Sequence, residues 1–505
     1  MRDPSAQRLG GDLGFQFLTN LCEAIEAAAS GALDLDPGAL SYRGVPLAGA
    51  VQRELFITLA NDERLRACFS AACTGKTTIE FAHERALERL VARELLGPGV
   101  RVRAVSPRSA RSLVGHLRAN LRRSRALPAP PAPSRGDTHR IALVLDHQKF
   151  LVFLEPVIAA LGEERTAIVS ASQRLDESLA TRGLPRHSIA DPRGAPPPAG
   201  RDLGRLLRER PYVAATFDQL ARALAELAPA CVVVAEGNSP YDELANRAAQ
   251  RLGIPCVCVQ HGWSPIVHTG FRNMSFARMS VWGEGFAELL MPWNPDQPFE
   301  VVGSPLFASA PPNGSLRQGR DWTVAFFQQA ISPMISREGL GRLRELIERT
   351  AARLPEATIL VREHPSMAGG ENPWRPQPRS NIVFVPPGSH GLRDVLEAAD
   401  VAASIYSTTL LEAAAIGKPV VALNITSMPR YNPDLEALGV GVEASDVDAA
   451  LSTIERMLRD DTYRASFAEP LAHFRERFFE DGSASAPKRI ADLIEDAADS
   501  AERDG

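Results

Sequence analysis

The stretch SIYSTTLLEAAAIGKPVV, residues 404–421, holds the end of one strand, a helix and the start of another strand. An apolar run closes at Ile405 or Tyr406. Ser407, Thr408 and Thr409 follow, helix formers continue to Gly417, and Lys418-Pro419 lead into Val420 and Val421. A short helix between two apolar runs is the crossover of a parallel sheet. Working outward, DWTVAFFQQ (321–329), EATILVREHP (356–365), NIVFVPP (381–387), DVAASIYS (400–407) and KPVVALNI (418–425) read as strands of one sheet. LRDVLEAA and VDAALSTIERMLRD read as helices beside TTLLEAAAIG.

The same alternation occurs upstream. HRIALVLD (139–146), ERTAIVSA (164–171), ACVVVAEG (230–237), IPCVCVQHG (254–262), MSVWGEG (279–285) and FEVVGSP (299–305) are strand candidates separated by helical stretches such as YDELANRAAQRLG. Before them, FQFLTNLCEAIEAAA, QRELFITLANDERLRACFSAA and TIEFAHERALERLVARELL carry apolar residues at helical spacing, and LPAPPAPSRG is a proline-rich connector. The expected organisation is α/β: a helical N-terminal domain (1–126), a linker (127–137), two tandem Rossmann-like domains (138–303 and 304–480) with a cleft between them, and a C-terminal helix (481–505).

Composition narrows the function classes. The 505 residues are too many for one core. Lys plus Arg number 56 against 61 for Asp plus Glu, a net charge of −5, which excludes a general nucleic-acid binder. No apolar run is long enough for a membrane span, and the N-terminus lacks the apolar core of a signal peptide. Cys256 and Cys258 fall on one face of a strand; no further Cys or His stands at zinc spacing, so they read as buried small residues of a reduced, cytoplasmic protein. No metal cluster is visible, and the expected chemistry needs neither metal nor cofactor. ACTGKTT (72–78) has Ser70 where a phosphate loop needs its first glycine, and DLD (34–36) reads as a turn. The 101–125 segment has eight arginines, no acid, and Leu113, Leu117 and Leu121 in line. It reads as a basic helix suited to the inner face of the cytoplasmic membrane, or as an ordinary solvated helix.

Chemistry is concentrated at strand ends, where open α/β sheets bind ligands. A helix start presents free N–H groups and a partial positive charge, so Ser407, Thr408 and Thr409 could complete a phosphate cradle. Glu412, one turn on, could accept from ribose hydroxyls; the plainer alternative is a capping box. His364 and Pro365 end a strand of the same sheet, where the histidine could donate to a phosphate. Gln328 and Gln329 end another. In the upstream unit Asp146, His147, Glu236, Gln260 and His261 occupy strand ends, and His268, Arg272 and Asn273 follow in a loop that could touch an acceptor. Transfer with inversion needs a base for the acceptor hydroxyl: Glu236 first, His261 second, Asp146 third. With retention, Glu236 or Asp146 could attack the sugar carbon.

Residues 138–490 resemble GT-B fold glycosyltransferases, in particular bacterial transferases with an HP motif and a following Ser/Thr motif: sialyl-, polysialyl- and capsule Kdo-type transferases. The resemblance implies that His364, Pro365, Ser407, Thr408 and Thr409 hold the phosphate of a CMP-sugar and that Glu412 holds the ribose, with a surface glycan, lipid-linked glycan or protein as acceptor. VVGSPLF (301–307) is similar to the Gly-x-Pro crossover of that fold. FFQQAISPMIS (326–336) lacks the Arg and Lys with which many diphosphate-sugar enzymes neutralise their leaving group, which favours CMP over UDP or GDP. The upstream motifs resemble those of UDP-GlcNAc 2-epimerases, except that Gln260-His261 replaces a catalytic glutamate. The alternatives are a UDP-sugar transferase or epimerase, a CDP-glycerol glycerophosphotransferase, and a non-catalytic scaffold in polysaccharide export.

Overall fold

In the computed structural model, residues 14–76, 79–104, 140–170, 172–182, 186–189, 203–305, 316, 321–332, 335–364, 373–424, 433–480 and 485–504 are described. Pro365, the linker 127–137 and most of the basic 101–125 segment lie outside them.

Four helices, Gly14–Leu35, Ala48–Ala60, Glu63–Cys73 and Ala86–Leu96, make up most of the N-terminal part. Two small sheets join them: β1 (Ser41–Tyr42) with β2 (Val45–Pro46), and β3 (Ile79–His83) parallel to β4 (Val100–Ala104). The latter pair corrects two expectations. Ile79 and Phe81 are buried and Glu80 is exposed, a period of two that the helical reading of TIEFAHERALERL absorbed into the helix that follows. Residues 101–104 pair as a strand, so the basic segment does not begin as a helix.

The apolar runs of 141–301 form a seven-stranded parallel sheet: β5 (Ile141–Leu145), β6 (Thr166–Ser170), β7 (Arg186–Ser188), β8 (Cys231–Ala235), β9 (Cys256–Val259), β10 (Arg278–Val281) and β11 (Phe299–Val301). β5, β6, β8 and β9 are buried on both faces, as helices on both sides require. The order is β11-β10-β9-β8-β5-β6-β7. A second parallel sheet comprises β12 (Trp322–Phe327), β13 (Ala357–Arg362), β14 (Ile382–Val385), β15 (Val401–Ser404), β16 (Val420–Leu423) and β17 (Gly441–Ala444), ordered β14-β13-β12-β15-β16-β17. The two strands not foreseen, β7 and β17, are edge strands without a full apolar run. At β17 only glycine fits residue 441: an added Cβ would lie 2.2 Å from the Val420 carbonyl oxygen. Strand order reverses between β5 and β8 in the first sheet and between β12 and β15 in the second, and these reversals open the crevices in which such sheets bind ligands.

The helix Ala468–Phe479 lies against helices of both units, with Phe478 and Phe479 packed on Trp282 and Phe286. The helix Ala486–Asp504 then returns to the first unit, where Glu495 pairs with Arg165 at 2.8 Å. Cys231, Cys256 and Cys258 are buried free thiols whose pKa burial pushes up. No helix among the described residues is long and apolar enough to cross a membrane.

Candidate active site

The crevice of the first sheet receives the ends of β5 and β8. After β5, His147 caps the helix Gln148–Leu161 by accepting from the Lys149 amide, which leaves Asp146 half-buried at the strand end. Burial raises the Asp146 pKa, against the lowering effect of Lys149 and His147. After β8, Glu236 adopts φ +72° and Gly237 φ +71°. A non-glycine residue held in this region costs of order 1–3 kcal/mol and marks a place where the fold over-determines the backbone. Glu236 lies 3.5 Å from the Lys149 ammonium and covers Gly262, where an added Cβ would be 3.3 Å from its Oε1.

The end of β9 is shaped differently. Gln260 is buried, its Oε1 accepts from the Trp282 amide at 2.9 Å, and its Nε2 donates to the Gly262 carbonyl. It serves as a strut and offers no free carboxylate equivalent. His261 stands edge-on to Phe150 and Phe153, and burial with nearby Lys149 lowers its pKa to about 3. The neutral ring is too weak a base to rank beside Glu236 near neutral pH. His268 stacks on Phe56 and accepts from the Gly270 amide; Arg272 is 5% exposed, pairs with Glu26 and donates to the Val267 carbonyl. Both side chains are engaged by protein groups beside the crevice loop.

In the second sheet β12 lies between β13 and β15, so Gln328 separates His364 from the 407–409 segment. Gln328 is buried and its amide nitrogen donates to the Trp374 carbonyl. His364 is half-buried; desolvation and Lys149 lower its pKa. Lys149 therefore acts electrostatically on groups of both units. Ser407 caps the helix Thr408–Ala415, accepting from the Thr409 amide. Thr408 Oγ1 accepts from the Trp263 amide at 3.1 Å and donates to the Trp263 carbonyl at 3.0 Å. That hydroxyl bridges the two units at the start of the helix. Thr409 is half-buried on the first turn.

Two parallel sheets, each with one reversal of strand order, are the arrangement to compare with known folds. No family model matches the chain, and no curated protein matches it. Among solved structures, one from Listeria monocytogenes described as a UDP-N-acetylglucosamine 2-epimerase aligns with TM-score 0.51 at 14% identity, over 71% of this chain and 96% of that one. The S. aureus MnaA–UDP structure aligns with TM-score 0.50 at 14% identity, over 71% and 96%. The glycosyltransferase SnogD from Streptomyces nogalater aligns with TM-score 0.45 at 17% identity, over 72% and 100%. The fold is of the GT-B type.

Within the GT-B frame, Glu412 is the buried carboxyl behind the helix start. It is 5% exposed, its Oε2 has no hydrogen-bond partner, and burial raises its pKa to about 7 despite nearby Arg362. It forms no capping box with Ser407. The sign follows directly: the folded state holds this proton more tightly than the unfolded chain, so the associated stability is complete below the ordinary value of 4.5 and is lost as pH rises through about 7. Glu412→Gln should flatten the stability profile between those values, where the wild type loses at most on the order of 1.4 kcal/mol per pH unit. Urea melts at several pH values check this. Thr408→Val, which deletes the bridge to Trp263 and keeps the shape, should cost about 1–3 kcal/mol, since two part-buried hydrogen bonds are lost; the same melts measure it.

Lys149, paired with Glu236, is a candidate site residue that the sequence analysis did not single out. Its signal was its place, four residues beyond the last residue of a buried strand and at the start of a helix facing the crevice. Among the described residues no group of three or more His, Cys, Asp or Glu side chains is arranged to hold a metal.

Proposed function

We propose that the protein is a GT-B glycosyltransferase acting on a nucleotide sugar in the cleft between its two sheets. The observation that carries this reading is the left-handed Glu236 turn at the crevice of the first sheet, with the Lys149 ammonium 3.5 Å from its carboxylate. The Lys149 charge also adds to desolvation in lowering the pKa of His364 at a strand end of the second unit. Glu236 takes the proton from the acceptor hydroxyl as the new C–O bond forms. The sugar–phosphate bond breaks and the nucleotide leaves with the electron pair. Lys149, an N–H of neutral His364 and the first turn of the helix Thr408–Ala415 stabilise the phosphate charge. Glu412 accepts from the ribose hydroxyls through its unpartnered oxygen.

The donor reading changes with Lys149. The case for a CMP-sugar rested on the resemblance of His364 and of Ser407, Thr408 and Thr409 to HP-motif transferases and on the missing bases in 326–336. With Lys149 supplied from the opposite unit, that lack no longer argues against a diphosphate, and the neighbour solved with UDP supports a UDP-sugar. A CMP-sugar, and the sialyl or Kdo transfer that would accompany it, is the second donor reading; a glycan, lipid-linked glycan or protein is the acceptor in either. Epimerisation at the sugar is a second reaction, favoured by the Listeria monocytogenes neighbour described as a 2-epimerase and opposed by Gln260, whose amide oxygen and nitrogen each bond to backbone groups. Incubation with UDP- and CMP-sugars, followed by NMR, tests these readings. Nucleotide release that rises with acceptor supports transfer; inversion at a sugar carbon without acceptor supports the epimerase. Neither reaction with any donor would leave the scaffold reading.

A further inference from the structure

The shared GT-B fold accounts for about 71% of this chain against 96% of its neighbours, so the chain carries material beyond it. The N-terminal helices are packed against the segments that hold Glu236. The helix Ala48–Ala60 lies along Pro240–Arg251, which begins directly after the Glu236 turn, and buried Arg53 pairs with buried Glu243 at 3.4 Å. Gly49 sits so close that an added Cβ would be 2.7 Å from Glu243 Oε1. On the other side, the helix Gly14–Leu35 reaches the 3-10 turn Thr269–Phe271. Glu26 pairs with Arg272 at 3.2 Å, Arg272 lies 3.7 Å over the Trp293 ring, and Phe56 stacks on His268 at 4.8 Å with the rings 4° from parallel. That turn presses on Asn238: an added Cβ at Gly270 would be 2.5 Å from the Asn238 carbonyl oxygen. Asn238 is two residues from Glu236.

We infer that the N-terminal helical layer is a clamp that holds the left-handed Glu236 turn in its working geometry, with Glu26, Arg53 and Arg272 as positioning residues. The left-handed backbone at 236–237 needs such over-determination, and the layer supplies it from both the following helix and the neighbouring loop. The clamp assigns a role to residues 14–104 that is distinct from binding acceptor or membrane. Its catalytic consequence rests on the proposed role of Glu236; the mechanical coupling does not.

The test is hydrogen–deuterium exchange on the full chain, comparing wild type, Glu26→Ala, Glu26→Asp and Arg272→Met. Loss of the ion pair between buried Arg272 and half-buried Glu26 should raise exchange at 268–272 and at 236–238 together, by about tenfold or more. Strands β12 and β15 should be unchanged, and Glu26→Asp should restore much of the protection. In turnover assays kcat should fall in the same variants with KM for the donor unchanged. Faster exchange at 268–272 without any change at 236–238 overturns the clamp. A uniform rise across both sheets also overturns it, leaving the layer a general stabiliser. Coupled exchange with no change in kcat keeps the clamp and rejects Glu236 as the base.

Discussion

Replacing Glu236 by glutamine should lower turnover by about 10²–10⁴-fold, the contribution of a positioned general base, with nucleotide affinity within about twofold of wild type. The side chain keeps its size and the backbone its left-handed turn, so the effect reports the carboxylate. Steady-state kinetics with a saturating donor checks it. The contrast lies in the two other candidates. His261, whose pKa is lowered to about 3, is neutral throughout the working range, and its replacement by Asn should leave the pH profile of kcat/KM unaltered. Asp146 has a raised pKa but lies beside Lys149, which resists the shift. If Asp146→Asn has the larger effect on kcat and Glu236→Gln only a small one, the assignment of the base moves to the end of β5.

Lys149→Met should weaken nucleotide binding by about tenfold to a hundredfold, the loss expected for a hydrogen bond to a charged group. The unbranched stem is kept, but the ammonium that lies 4.4 Å over the Phe150 ring is lost with its charge. Removing the ammonium also relieves His261, His364 and Asp146 of their neighbour: the two histidines should titrate higher and Asp146 higher still. NMR titration of the imidazole signals would show this. A nucleoside should bind Lys149→Met and wild type alike, because it carries no phosphate for the lysine to meet. Equal loss for nucleoside and nucleotide would make Lys149 a structural residue.

Much of the fold was legible because buried parallel strands are uninterrupted apolar runs: ILVL-type stretches at 141–145, 231–235 and 357–361 carry their own assignment. β7 and β17 were not legible, since an edge strand needs no such run, and β3 was hidden by a helix that starts three residues after it. The strand-end positions of Asp146, Glu236 and His364 followed from the same logic, as sequence alternation locates the ends of strands. What a side chain does there is set by partners distant in sequence. Thr408 meets Trp263 across 145 residues and Arg272 meets Glu26 across 246. Gln328 turns toward Trp374. No local pattern contains these pairings. Lys149 gives no local signal either: an exposed lysine at a helix start is unremarkable until the Glu236 turn is brought beside it.

The most direct test of the account is calorimetric binding of UDP, CMP and uridine to wild type and to the Lys149→Met and His364→Ala variants. The account predicts that UDP binds more tightly than CMP, and that both variants lose affinity for UDP but not for uridine. Binding of UDP that is indifferent to both substitutions, or no binding of any nucleotide, would contradict a phosphate site between Lys149 and His364.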